Sequence, residues 1–407
     1  MKILIVSPIP VSYPPRDGYS LVVVYRSYFL KKLANIDSDI IITERPEYPT
    51  KNLIDSGIFN NVFSYKINSK WKSLIKSFFS KEIYTMIRHD INSEDFKKII
   101  SNLGKNKYEA VIFDYSGSYP LYKKLIKHIN IDDDRIIYWS HNIDYIDFKN
   151  ITIETNNLFK KLFYYTTYKK LKKIEPAYIK EFNKIISVSN HEIKILKEIN
   201  PKASIYWIPP VLPEPESVNI EERYLSEIEG KVKSYKYKIL FTGDLRRSSN
   251  TLPAIWFTTK VFPIIKSKLN ACFIIVGKSP SKEIIDLAKN NKDVLLFPNA
   301  PSLAPFYELS DLVVVPLFNP AGIKLKLIEA LKYKKKVVAR PEALLGAGLE
   351  DIVPSAMEPE EFAKKCIDAL ESKIDYNTIW QKFDEMYDSE KIVEKIKQLI
   401  LNVRQNV

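Results

Sequence analysis

Gly322, Lys324, Lys326 and Glu329 lie close together in PLFNPAGIKLKLIEALKYKKKVVARP, Pro316–Pro341. Lys326 and Glu329 are three residues apart, so a helix would set them on one face near its start. Free backbone N–H groups and the positive end of the dipole favour a phosphate there. A glycine lets that phosphate approach the backbone, and a lysine supplies a mobile point charge for a diphosphate. A carboxylate one turn on can accept hydrogen bonds from both hydroxyls of a ribose. The same spacing also makes an ordinary exposed ion pair of little energetic weight. Spacing alone leaves both readings open.

The elements around this string decide how it is presented. Leu312–Leu317 is a continuous apolar run, as a buried parallel strand is, and Lys336–Ala339 reads as a second strand after the helix. The same rhythm runs through the chain. MKILIVSPIP, Ile40–Thr43, Tyr108–Asp114, Arg135–Ser140, Lys184–Val188 and Ser204–Pro209 read as strands in the first half. Lys238–Thr242, Ala271–Val276 and Val294–Phe297 follow in the second. Strands alternating with helices predict doubly wound parallel sheets. The chain has only 10 glycines in 407 residues, well below the usual share of about 7%. Gly18, Gly117, Gly243, Gly277 and Gly322 all fall just after predicted strands, where ligands meet open α/β sheets. His141 directly follows the apolar run RIIYWS, and Asp114, which ends YEAVIFD, reads as a turn residue.

Pro209–Glu216, PPVLPEPE, is the most linker-like segment. It divides an expected first domain, 1–212, from a linker, 213–235, and a second domain, 236–375. Residues 376–404 read as helical, with Ile379, Phe383, Met386, Ile392, Ile396 and Leu399 as an apolar stripe. At 45% hydrophobic and 27% charged residues the chain is a globular one. No apolar run approaches the roughly 20 residues a membrane helix needs, and the N-terminus lacks a signal-peptide layout. Both predict a cytoplasmic protein. Abundant Lys and Ile with three Gln suit a thermophile with an AT-rich genome.

The net charge of +13 fits phosphate-bearing ligands, nucleic acid or an anionic membrane equally well. Two segments concentrate it. Residues 157–173, NLFKKLFYYTTYKKLKK, carry six lysines, two phenylalanines and three tyrosines with no acidic residue, and residues 66–88 are similar, with Trp71, Phe78 and Phe79. Such interleaving suits an anionic membrane surface or single-stranded nucleic acid. It is equally compatible with core-facing apolar positions and merely solvated lysines.

The string AGIKLKLIEAL resembles the nucleotide-sugar motif of family 4 glycosyltransferases, the retaining group 1 enzymes, where a glycine turn precedes Lys-x-x-Glu-Ala. The resemblance runs through nearly the whole chain. SPIPVSYPPRDGYSLVVVYRSYFLKKLA is similar to the family's first strand and glycine loop, and WSHNID to its His-Asn-x-Glu segment. IISVSNHEIKIL and FTGDLRRSSNTLPAIWF resemble the following strand–helix unit and the first loop of the donor domain. The resemblance implies a GT-B fold of two Rossmann-like domains facing a cleft, with the segment 376–407 returning to the first domain as a helix. It implies a nucleoside diphosphate sugar as donor substrate and a glycan or lipid-linked glycan as acceptor. An archaeal thermophile as source is part of the same expectation.

By that resemblance Lys326 contacts the diphosphate and Glu329 the ribose. Arg246 or Arg247 neutralises phosphate from the Gly243 loop, Gly18 lies against the phosphates, Gly277 and Gly322 line the donor site, and His141 sits beside the donor sugar. His141, Lys326 and Arg246 are the candidate catalytic residues. The resemblance implies no metal or other cofactor. Three positions depart from the pattern. Ala321 stands where many relatives carry a Glu near the transferred sugar, Asp244 follows Gly243 where many have Arg, and Asp144 replaces the usual Glu after His-Asn. With Ala321 there, a covalent glycosyl-enzyme has no obvious nucleophile, and same-face attack is the implied course. A lipid-linked acceptor makes the membrane the expected partner of 66–88 and 157–173, with no nucleic acid. A sugar-nucleotide epimerase of the same architecture and a basic nucleic-acid-binding protein are the alternatives.

Overall fold

The computed structural model describes residues 1–104, 106–155, 157–215 and 222–401. The chain divides into two compact units, Met1–Leu212 with Tyr387–Val407, and Pro213–Met386.

The first unit is built on seven parallel strands: β1 (Lys2–Val6), β2 (Asp37–Glu44), β3 (Asn61–Lys66), β4 (Ala110–Asp114), β5 (Ile136–Ser140), β6 (Lys184–Ser187) and β7 (Ser204–Trp207). Their order is β3-β2-β1-β4-β5-β6-β7. The chain reverses its direction of travel across the sheet between β1 and β4, the switch point at which doubly wound folds bind ligands. Ile3–Val6 are fully buried, as strands covered on both faces must be. Leu4, Val6, Val111, Phe113, Tyr138, Tyr178 and Phe182 share one core.

The second unit holds β8 (Tyr237–Asp244), β9 (Ala271–Lys278), β10 (Val294–Pro298), β11 (Leu312–Val315) and β12 (Lys336–Ala339), ordered β10-β9-β8-β11-β12 and all parallel. Here the switch lies between β8 and β11. Phe257, Phe262 and Phe273 pack together beneath the sheet, with the rings of Phe257 and Phe273 4.6 Å apart. Cys272 and Cys366 are buried free thiols.

Four expectations from sequence need correction. β3 adds a strand to those read from sequence: NVFSYK is an edge strand in which only Tyr65 is fully buried, so its apolar signal is diluted. The strands β8 and β9 continue through Gly243 and Gly277, which pair with each other in register rather than following the strands. The expected linker 213–235 is partly structured. Residues 216–221 lie outside the described residues, but Glu222–Val232 is a helix whose Ile228 and Val232 are buried, one turn apart.

The segment 376–407 is two helices, not one, and residues 402–407 lie outside the described residues. Tyr376–Met386 stays with the second unit, where Tyr376 Oη donates to Val337 O at 2.8 Å and Trp380 Nε1 to Lys335 O at 3.2 Å. Asp388 then caps a new helix, Ser389–Ile400, by accepting from Lys391 N. Only this last helix packs in the first unit, against Gly18–Ala34. It buries Ile392, Val393, Ile396 and Ile400, and Lys184 Nζ donates to Leu399 O. Four such side chains are worth about 1.5–3 kcal/mol each, against a total stability of about 5–15 kcal/mol. Truncation after Met386 is therefore expected to give insoluble protein. A soluble truncated chain that melts cooperatively would refute this role for the helix.

Candidate functional site

In the second unit the predicted residues converge where β8 and β11 end. Gly322 has a φ of 63°, which an L side chain resists, so glycine is needed to turn the chain from β11 into the helix Leu325–Lys332. Lys324 closes this turn by donating to Ala321 O and Gly322 O. It is thereby occupied by the loop itself.

Lys326 reaches back across the sheet end. Its Nζ donates to Asn250 Oδ1 at 2.8 Å and lies 4.4 Å from the centre of the Phe241 ring. Asn250 Nδ2 in turn donates to Asp244 O at 3.0 Å, tying the loop after β8 to the lysine. Gly243 lies under this group, where a Cβ would come within 2.9 Å of both Lys326 Nζ and Asn250 Cγ. Gly277 is required for a different reason. A Cβ there would sit 1.9 Å from Gly243 O, so the close approach of β8 and β9 accounts for that glycine without a ligand.

Glu329, on the same helix, accepts from Tyr307 Oη at 3.2 Å, and the Tyr307 ring stacks on Tyr333 at 4.8 Å. Lys326 and Glu329 are thus each engaged inward rather than forming an exposed pair. Loss of hydration lowers the Lys326 ammonium to about 7, with Lys324 adding to the effect and Glu329 opposing it. Burial likewise raises Glu329, against the Tyr307 hydrogen bond and the Lys326 charge. Burial thus disfavours the charged form of both groups. A bound anion beside Lys326 and bound hydroxyls beside Glu329 would relieve both.

Arg246 and Arg247 stand at the rim and are largely exposed. Arg246 makes a bidentate pair with Asp244, at 2.9 and 2.8 Å, while Arg247 Nε approaches the same carboxylate at 3.5 Å. The arginine hydrogen bonds hold the Asp244 carboxyl below its usual range. Asp244 therefore gathers two arginines beside Gly243.

The remaining predicted residues belong to the first unit. His141 follows β5, and its Nε2 lies 3.1 Å from Asp114 Oδ1 at the end of β4. Its ring is 4.9 Å from that of Tyr19, in the helix that Gly18 opens with Asp17 as cap. Tyr19 Oη meets Ser7 Oγ at 2.8 Å, just past β1. Asp114 is not a turn residue. It is fully buried and makes a bidentate pair with Arg26, at 3.0 and 2.6 Å. Burial alone would raise its carboxyl, but the Arg26 charge and the His141 and Arg26 hydrogen bonds hold it below its usual range. Arg26 also lies 4.2 Å over Trp139. This frame was missed because Arg26 sits in an otherwise apolar stretch of helix, and its partner is 88 residues away.

The backbone after His141 is fixed from below. Asp144 and Tyr145 donate their N–H groups to buried Glu175, each at 2.9 Å, and Ile143 N donates to Glu192. Asp144 accepts from Ser116 Oγ and, at 3.0 Å, from Asn142 Nδ2. Burial pushes its carboxyl up to about 7. Asp144 is thus a short buried acid at the start of a helix, where it braces the His141 loop.

Comparison with known proteins agrees with this architecture. Residues 236–372 match the family described as glycosyl transferases group 1. A protein of Klebsiella pneumoniae described as an uncharacterized 44.6 kDa protein in the cps region is 22% identical over 412 residues, spanning 97% of this chain and 98% of its own length. Among solved structures, a glycosyltransferase from Rickettsia africae is 17% identical with a TM-score of 0.65, covering 100% of this chain and 99% of its own. Anabaena HepE, solved with UDP, is 11% identical with a TM-score of 0.63, covering 99% and 100%. The two parallel-sheet units have the GT-B fold of such structures. The segment 236–372 is a glycosyl transferases group 1 domain, and the chain that carries it is a transferase.

Proposed function

We propose that this protein is a retaining, family 4 type glycosyltransferase that moves a sugar from a nucleoside diphosphate sugar to a glycan or lipid-linked glycan. The observation that carries the donor assignment is the inward-facing Lys326 and Glu329 beside Gly243, in the unit that matches the family. Lys326 neutralises the leaving diphosphate, with Arg246 or Arg247 released from Asp244 to assist. Positive groups aimed at developing charge supply much of the rate of such a step. Glu329 holds the ribose. HepE has been solved with UDP-glucose, which supports a diphosphate donor of this kind. The roles of His141 and Gly18 rest on the family resemblance alone.

Retention follows from the same resemblance. Ala321 offers no carboxylate for a covalent intermediate, so the acceptor attacks the face the leaving group vacates, and the departing phosphate oxygen takes the acceptor's proton. The test is a thermal-shift screen against nucleoside diphosphate sugars, since a ligand that binds only the folded state raises its melting temperature. NMR of the product from the stabilising donor then reads the anomeric configuration. One sugar nucleotide should stabilise the protein selectively and give a product with the donor's configuration. No stabilisation by any donor would overturn the assignment, and an inverted product would overturn retention. Recovery of the donor as an epimer, without release of diphosphate, would establish an epimerase.

A further inference from the structure

The helix Lys70–Phe79 is inside out. Trp71, Ile75, Phe78 and Phe79 follow a helical spacing of one face, and that face is exposed: 70%, 58%, 54% and 89% respectively. The face turned inward carries Ser73 and Ser77, which are 1% and 5% exposed. A surface helix normally does the opposite. Leu158–Ile179 repeats the pattern in its first two turns, where Leu158, Phe159, Leu162 and Tyr165 are exposed.

The two helices are neighbours. Phe78 and Phe163 meet ring to ring at 6.4 Å, and Lys170 Nζ donates to Ser77 O and to Glu82 O. Their outward apolar residues therefore belong to one surface. Soluble monomers rarely leave a large contiguous apolar patch uncovered.

Charge selects what covers it. Residues 70–81 and 158–174 contain ten lysines and no Asp or Glu. Apart from Lys170, they are exposed. A second copy seated on this patch would set lysines against lysines, because a two-fold interface uses the same surface twice. Bases of a single strand would stack on the aromatics, but Ile75, Leu158 and Leu162 offer them no such partner. An anionic bilayer satisfies both features, with apolar side chains in the acyl boundary and lysines among the headgroups.

We propose that the surface formed by Lys70–Phe79 and Leu158–Tyr165 docks the first unit on an anionic lipid bilayer. Trp71, Ile75, Phe79, Leu158, Phe159 and Leu162 enter the interface, and the flanking lysines select negatively charged headgroups. No helix among the described residues is long and apolar enough to cross a membrane. The docking stands on this surface alone; its purpose, to meet a lipid-linked acceptor, rests on the glycosyl-transfer reading.

The test is co-sedimentation of the full chain with vesicles of phosphatidylcholine, with or without equimolar phosphatidylglycerol. The wild type should pellet with the mixed vesicles, and its tryptophan emission should shift to the blue, a shift lost in Trp71→Phe. Ile75→Ser, Phe79→Ser, Leu158→Ser and Phe159→Ser together should lower partitioning at least about tenfold, with circular dichroism and donor hydrolysis in solution unchanged. Lys72→Gln, Lys160→Gln, Lys161→Gln and Lys172→Gln together should abolish the preference for phosphatidylglycerol. Lys170 is left in place because it joins the two helices. The proposal is overturned if the wild type stays in the supernatant, or if the serine variant binds as well as wild type. It is also overturned if a single-stranded oligonucleotide displaces the vesicles, or if the patch proves to hold a dimer that the serine variant dissociates. Vesicle binding without turnover of any nucleotide sugar would uphold the docking and count only against the transferase reading.

Discussion

Glu329→Gln should lower kcat/KM for the nucleotide-sugar donor by about tenfold to a hundredfold, with the melting temperature little changed. A hydrogen bond to a charged group contributes roughly 1.5–3 kcal/mol, and the ribose hydroxyls would each lose such a partner. Glutamine is the cleaner substitution because its carbonyl oxygen can still accept from Tyr307 Oη, as Glu329 does now. Alanine would leave that buried hydroxyl without its carboxylate partner and mix a folding defect with a binding one. Steady-state kinetics with donor varied, beside a thermal melt, separates the two. Wild-type kinetics in Glu329→Gln would reduce the residue to a structural partner of Tyr307.

Lys326→Met should weaken binding of a nucleoside diphosphate about tenfold or more while leaving the parent nucleoside nearly unaffected, because its expected partner is phosphate. The lysine also makes binding proton-linked. Burial lowers its ammonium to about 7, against an ordinary 10.5. Between those values the folded protein keeps the amine neutral while the unfolded chain protonates it. This group therefore adds stability as pH rises through the window from about 7 to 10.5, and the contribution is lost on the way down. Diphosphate prefers the charged form, so binding above about pH 7 must take up a proton, and affinity should fall as pH rises. Calorimetry in two buffers of different ionisation heat would show proton uptake in the wild type and its loss in Lys326→Met. Equal losses for nucleoside and nucleoside diphosphate would make Lys326 a structural residue.

The strand–helix alternation was legible because parallel strands are buried on both faces and appear as unbroken apolar runs such as KILIV and AVIFD. An edge strand such as NVFSYK lacks that signal. The Lys326–Glu329 spacing pointed to a site, but it did not show that each side chain is engaged inward by Asn250 and Tyr307, 76 and 22 residues away. Gly277 stands after an apolar run, as Gly243 and Gly322 do, and sequence position alone does not separate it from them. Only the register of β8 against β9 shows a carbonyl in its way. Asp114 and Arg26 needed the same kind of information, since their pairing depends on where β4 ends relative to the first helix. The basic aromatic segments were visible as composition. Which side of each helix faced outward was not, because apolar periodicity marks a face without saying what it meets.

The placement of Ser389–Ile400 in the first unit also bears on how the chain is made. The first unit's continuous part ends at Leu212, and the chain rejoins it only at Tyr387, 175 residues later by subtraction. At translation rates of about 5–20 residues per second, the apolar side of Gly18–Ala34 that receives this helix would wait roughly 10–35 s while the second unit emerges from the ribosome. Folding therefore cannot run strictly from one end of the nascent chain to the other. The first sheet can assemble early, but its covering is completed last, and a chaperone holding the unclaimed helix face would act in that interval.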